Sequence, residues 1–149
     1  MTVDEYVSKV GEVLGGHTSQ AALQLRAALA AIPARTQRAE IVIVVDQDGE
    51  GFLDVRLNLI GPDLAVLNRA IAAHASLFST RMTEDGLSPA LPLMEPGGET
   101  FSVHDALTDC AAAWVVSVWS QTERANFRLP VMAVSHDGYG TTLPLRLES

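Results

Sequence analysis

The chain has 149 residues, 48% of them hydrophobic and only 5% aromatic, which suits one domain with one core filled mainly by Ala, Val and Leu. Its formal net charge is −8, from 18 acidic and 10 basic residues. Such a field repels phosphates and anionic lipid, so nucleic acid and membranes are not expected partners and a basic protein surface is.

The N-terminus, Met1-Thr2-Val3-Asp4-Glu5, lacks the basic and then apolar plan of a signal peptide. No apolar run approaches the ~20 residues that span a bilayer, so the cytoplasm is the expected compartment. Thr2-Val3-Asp4-Glu5 has the form of a capping box. Val3, Val7, Val10 and Leu14 follow at helical spacing and predict a first amphipathic helix. Gly15-Gly16 should interrupt it, since two glycines cost a helix roughly 2 kcal/mol relative to alanines. Thr18 or Ser19 can cap a restart, whose stripe is Leu25, Leu29 and Ile32 before Pro33.

Residues 40–45 contain Ile41-Val42-Ile43-Val44-Val45, a β-branched run without alternation, which predicts a strand covered on both faces. Residues 52–60 alternate, with Leu53, Val55, Leu57 and Leu59 on one face and Phe52, Asp54, Arg56 and Asn58 on the other, as in a half-buried strand. Gly61-Pro62-Asp63 opens a third helix with apolar face Leu64, Leu67, Ile71, Ala75 and Phe78 and with His74 at the edge of the core. Residues 79–100 show no periodicity and carry Pro89, Pro92, Pro96, Gly97 and Gly98, so a long irregular loop is expected there. Ser102-Val103-His104-Asp105 caps the last helix, whose core stripe is Leu107, Cys110, Ala111, Trp114 and Val118. Trp119 lies off that stripe, free to cover a neighbouring element or to form an exposed contact. Residues 128–135 and 141–147 complete the set as strands, the second at a sheet edge because Pro144 cannot donate to a ladder.

The expected fold is one α+β domain over 1–149, in the order α-α-β-β-α-loop-α-β-β. A single four-stranded antiparallel sheet, made of two hairpins, would be covered by helices. The connections resemble each other: Val45-Asp46-Gln47-Asp48-Gly49-Glu50-Gly51 against Val134-Ser135-His136-Asp137-Gly138-Tyr139-Gly140. Asp-Gly suits a tight type I′ turn in each, and the next Gly allows a bulge.

The first of these connections also resembles the EF-hand calcium loop at Asp46, Asp48, Glu50, Gly51, Phe52 and Asp54. That resemblance implies a calcium ligand set of Asp46, Asp48, Glu50 and Asp54. The position of the bidentate Glu holds Leu57, and strands replace the flanking helices, so no metal or other cofactor is expected. The excess of carboxylates at this tip suits docking of a basic partner instead, because close like charges need water or a cation to screen them. Asp46, Asp48, Glu50, Asp54, His136, Asp137 and Tyr139 are the candidate partner-binding residues.

His104, Asp105, Asp109 and Cys110 form a catalytic set on paper. Asp105 and Asp109 share a helical face, but Asp105 is expected to serve the cap and Cys110, the only cysteine, to be a small buried thiol. No phosphate loop, dinucleotide fingerprint, zinc-protease motif or nucleophile elbow occurs. In class, the small acidic chain is similar to the immunity proteins that neutralise bacterial toxins. This resemblance implies a non-catalytic interaction module. A similarity in size and charge to acidic secretion chaperones implies a homodimer as the alternative. An enzyme or small-ligand domain with its site between loop 79–100 and the hairpin tips is the other alternative.

Overall fold

The first helix, α1 (Val3–Gly15), starts where the capping box places it: Thr2 Oγ1 accepts the Glu5 N–H at 3.2 Å. Its inward stripe is Tyr6, Val10 and Leu14, while Val3 and Val7 are each 41% exposed. The expected stripe is therefore wrong in its first two members. A buried Tyr ring removes more apolar area from water than a valine does, and it takes the core position. The helix stops at the glycine pair, and α2 (Thr18–Ala30) begins after a two-residue break. Thr18 does not cap α2. Its Oγ1 is buried, donates to Leu14 O at 3.4 Å and accepts the indole N–H of Trp114 at 3.0 Å.

The structure, a computed structural model, describes residues 2–45, 52–92, 102–124 and 127–147. Two long strands follow α2, β1 (Arg38–Val45) and β2 (Leu53–Ile60), paired antiparallel from Arg38↔Ile60 to Val45↔Leu53. After α3 (Leu64–Ile71) come β3 (Ser76–Ser79), β4 (Arg81–Thr83) and β5 (Gly86–Ser88). The chain then runs through α4 (Val103–Gln121) to β6 (Val131–Ser135) and β7 (Leu145–Leu147).

The main sheet has five strands in the order β3-β2-β1-β6-β7. The two expected hairpins are present, but they meet through a parallel pairing of β1 with β6, Ala39↔Val131 to Ile43↔Ser135. The sheet is thus mixed, not antiparallel throughout. Its fifth strand, β3, comes from residues read as helix. Phe78 fits the helical spacing from Ile71, yet it pairs opposite Val55 beside a bulge. Beyond the start of β3 the edge of β2 is closed by a side chain. Leu59 N donates to Asn68 Oδ1 at 2.8 Å and Asn68 Nδ2 donates to Leu59 O at 3.1 Å. Loop 79–100 is likewise not wholly irregular, because β4 and β5 pair as a small separate hairpin within it. The edge position of β7 agrees with Pro144, although the strand is shorter than expected.

One core lies on one face of the sheet. Ala39, Ile41, Ile43 and Val45 of β1 meet Leu53, Val55, Leu57 and Leu59 of β2 there, together with the buried sides of all four helices. Among the described residues, no second core cluster covers the other face of the β-branched run, although Val42 is buried there. Val42 and Val44 turn to the other face, flanked across the ladder by Arg56, Asp54 and Val134.

Candidate functional site

Because β1 and β6 are parallel, both run towards the same end of the sheet. Ile43 pairs with Ser135, and the ladder continues as His136 N donates to Ile43 O at 2.9 Å. Strand β2 starts at this end and β3 finishes there, since Asp54 pairs with Ser79. Thr80 fastens the corner: its N–H donates to Leu53 O at 3.1 Å and its Oγ1 accepts the Leu53 N–H at 3.0 Å. One end of the sheet thus carries the exit of β1, the entry of β2, the exit of β3 and the exit of β6.

The start of α4 joins this end through the 136–144 connection. Ser102 Oγ caps the helix by accepting the Asp105 N–H at 3.2 Å. The Asp105 carboxylate accepts the Gly140 N–H at 2.8 Å and so serves the connection as well as the cap position. One turn later, Asp109 accepts from Thr141 N at 2.7 Å, Thr141 Oγ1 at 2.8 Å and Thr142 N at 3.3 Å. Three successive backbone N–H groups therefore close on two carboxylates that helical spacing sets on one face. The connection lies so close to the helix that a Cβ on Gly140 would sit 2.8 Å from Thr108 Cγ2, and its φ of +94° itself favours glycine.

Of the expected partner-binding residues, Asp54, His136 and Asp137 are exposed at this end. Asp46, Asp48 and Glu50 lie outside the described residues. Tyr139 does not stand free at a tip. It is half-buried and stacks on His104, with ring centroids 4.6 Å apart and planes 18° from parallel. The second connection is not a type I′ turn either. Gly138 has φ +80°, but Asp137 does not have positive φ, and nine residues separate β6 from β7. Length in this connection goes into reaching α4.

The paper catalytic set acts as a clasp. Asp105 and Asp109 spend their oxygens on backbone and hydroxyl donors. Among the described residues, His104 Nε2 is buried without a hydrogen-bond partner. Burial pushes the Cys110 thiol above its ordinary range, with Asp109 adding to the effect, so its nucleophilic thiolate is disfavoured. His74 sits at the core edge as expected, its Nδ1 3.2 Å from Gln24 Oε1. Trp119 is buried rather than exposed, with Phe127 edge-on to it and the Arg124 guanidinium 4.5 Å above its ring centroid. Among the described residues no group of three or more His, Cys, Asp or Glu could hold a metal, and no helix is long and apolar enough to cross a membrane. Sequence reasoning missed Gly140, Thr141 and Thr142 as the donors of the clasp; the i, i+4 pair Asp105 and Asp109 was the signal that something must be bound there.

A family model described as a family of unknown function (DUF6389) matches residues 1–149, and the chain belongs to that family. No curated protein and no solved structure matches it.

Proposed function

We propose that this member of the DUF6389 family is a non-catalytic interaction module that binds a basic protein surface at the end of the sheet carrying Asp54 and Asp137. The parallel register of β1 with β6 supports the reading, because it brings the last residue of β1, the first residues of β2 with Asp54, and His136-Asp137 to one end of the sheet. Asp54 is exposed beside the first connection, and Asp46, Asp48 and Glu50 add charge from the sequence with no lysine among them. A basic partner would neutralise carboxylates that otherwise repel one another. The clasp supports binding over catalysis, since the carboxylates nearest His104 and Cys110 are committed to holding the chain. A basic toxin met in a bacterial cytoplasm, neutralised by an immunity protein, is the partner class this reading favours.

The test is capture from the source lysate on immobilised protein, compared with a variant carrying Asp46→Asn, Asp48→Asn, Glu50→Gln and Asp54→Asn. A single basic protein should be retained by the parent, released by salt, and lost from a variant with an unchanged circular dichroism melt. Equal retention by the neutralised variant rejects the reading.

A further inference from the structure

On the outer side of the helical layer, α1 and α4 leave a groove of about 280 Å³. Val7, Gly11 and Gly15 form its α1 wall, and Cys110, Ala113 and Ser117 its α4 wall. The groove is lined without any charged side chain. Val3 extends the α1 row one turn further, and it and Val7 are each 41% exposed.

The glycines are the unexplained part. A Cβ at Gly11 or at Gly15 would meet nothing within 4 Å. Gly15 ends the helix, but Gly11 lies inside it, where glycine costs about 1 kcal/mol relative to alanine. Among the described residues, nothing in the packing requires that residue to be small. Small residues along a helix let a second helix approach with its backbone close.

The rim identifies the occupant. Asp4 and Glu12 follow Val3 and Gly11 in sequence, one row outward on α1, and both are exposed. A second copy of this chain would set acidic rim against acidic rim, which like charges oppose. An amphipathic helix with basic flanks satisfies both the apolar floor and the rim.

We infer that the α1–α4 groove docks an amphipathic helix of a partner protein, its apolar stripe laid along Val7, Gly11 and Ala113 and its Lys or Arg residues over Asp4 and Glu12. This surface needs no contact at the Asp54–Asp137 end, so it stands whether or not that end binds a partner.

The experiment uses the intact protein and three synthetic peptides of equal length. One is a helical Leu/Lys peptide with leucines at i, i+3, i+4 and i+7. The second replaces its lysines by Glu, and the third replaces its leucines by Ser. Binding is read by calorimetry and by fluorescence, since Trp114 lines the groove. The Leu/Lys peptide should bind one to one, and the other two at least tenfold more weakly. Gly11→Leu and Ala113→Leu, each checked for fold by circular dichroism, should each weaken the Leu/Lys peptide at least tenfold. Neutralising Asp46, Asp48, Glu50 and Asp54 together should change it less than threefold, which separates this groove from the acidic end. Absence of binding, equal binding of the Ser-substituted peptide, or undiminished binding by both groove variants overturns the inference. So does a dimer, seen by light scattering, that Gly11→Leu dissociates.

Discussion

Asp109 holds Thr141 twice, accepting its backbone N–H at Oδ1 (2.7 Å) and its hydroxyl at Oδ2 (2.8 Å). The two residues lie on different elements, so this one carboxylate fixes how the 136–144 connection meets α4. Hydrogen bonds to a charged group contribute about 1.5–3 kcal/mol each when sheltered and less when solvent competes. These bonds are largely exposed, so Asp109→Ala is expected to lower stability by about 1–2 kcal/mol in a urea titration. Asp109→Asn, which keeps one acceptor oxygen, should lose less.

Gly140→Ala should cost more than Gly138→Ala. Both positions have positive φ, but a Cβ at Gly140 meets Thr108 Cγ2 at 2.8 Å while one at Gly138 meets nothing within 4 Å. Backbone strain alone costs about 1 kcal/mol or more, and the clash adds about 1–3 kcal/mol. Thermal melts of the two variants, with Thr108→Ser added to Gly140→Ala, separate the terms. The double variant should recover part of the clash and none of the strain.

Thr18→Val keeps the shape of the side chain and removes the acceptor for Trp114. The indole N–H is then buried without its partner, at a cost of about 1–3 kcal/mol. Chemical denaturation followed by tryptophan fluorescence should show an earlier midpoint.

Gly11→Ala should do the opposite and stabilise the chain by up to about 1 kcal/mol. It removes a helix-interior glycine, and its methyl group enters open space. A raised melting temperature checks this independently of any partner.

Alkaline pH should destabilise the fold in two stages. Burial holds the Tyr6 phenol and the Cys110 thiol above their ordinary values of about 10 and about 9, with each group's smaller push coming from Cys110 and Asp109 respectively. Both are neutral in the folded state and ionise more readily once unfolded, so their contribution is full below the ordinary values and is lost as pH rises through the raised ones. The urea midpoint should stay level up to the ordinary thiol value and then fall. Cys110→Ala should remove the early part of the decline and Tyr6→Phe the later part.

Much of the fold is local and was legible for that reason. Capping at Thr2 and Ser102, the break at Gly15-Gly16 and the alternation of β2 each depend on neighbouring residues alone. The parallel junction of β1 with β6 left no such mark, because its partners are far apart in sequence and both are apolar strands. Strand β3 was hidden since Ala75 and Phe78 continue the helical spacing of Ile71, while the sheet edge at Leu57 captures the Ala75 carbonyl. At the site, the sequence put Asp105 and Asp109 on one face but could not show what they bind. Asp105 read as a cap residue because the cap is local and Gly140 is not. Tyr139 read as a free tip for the same reason.

The β1–β6 junction also sets an order of events during synthesis. Ala39 must wait for Val131, so β1 leaves the ribosome long before its second neighbour exists. Until then one side of Ile41-Val42-Ile43-Val44-Val45 is an open edge, β-branched throughout and without proline or charge. Such edges template the stacking of nascent chains into aggregates. A truncation that removes β6 would leave that edge without its partner, and such a chain is expected to aggregate more than the full one.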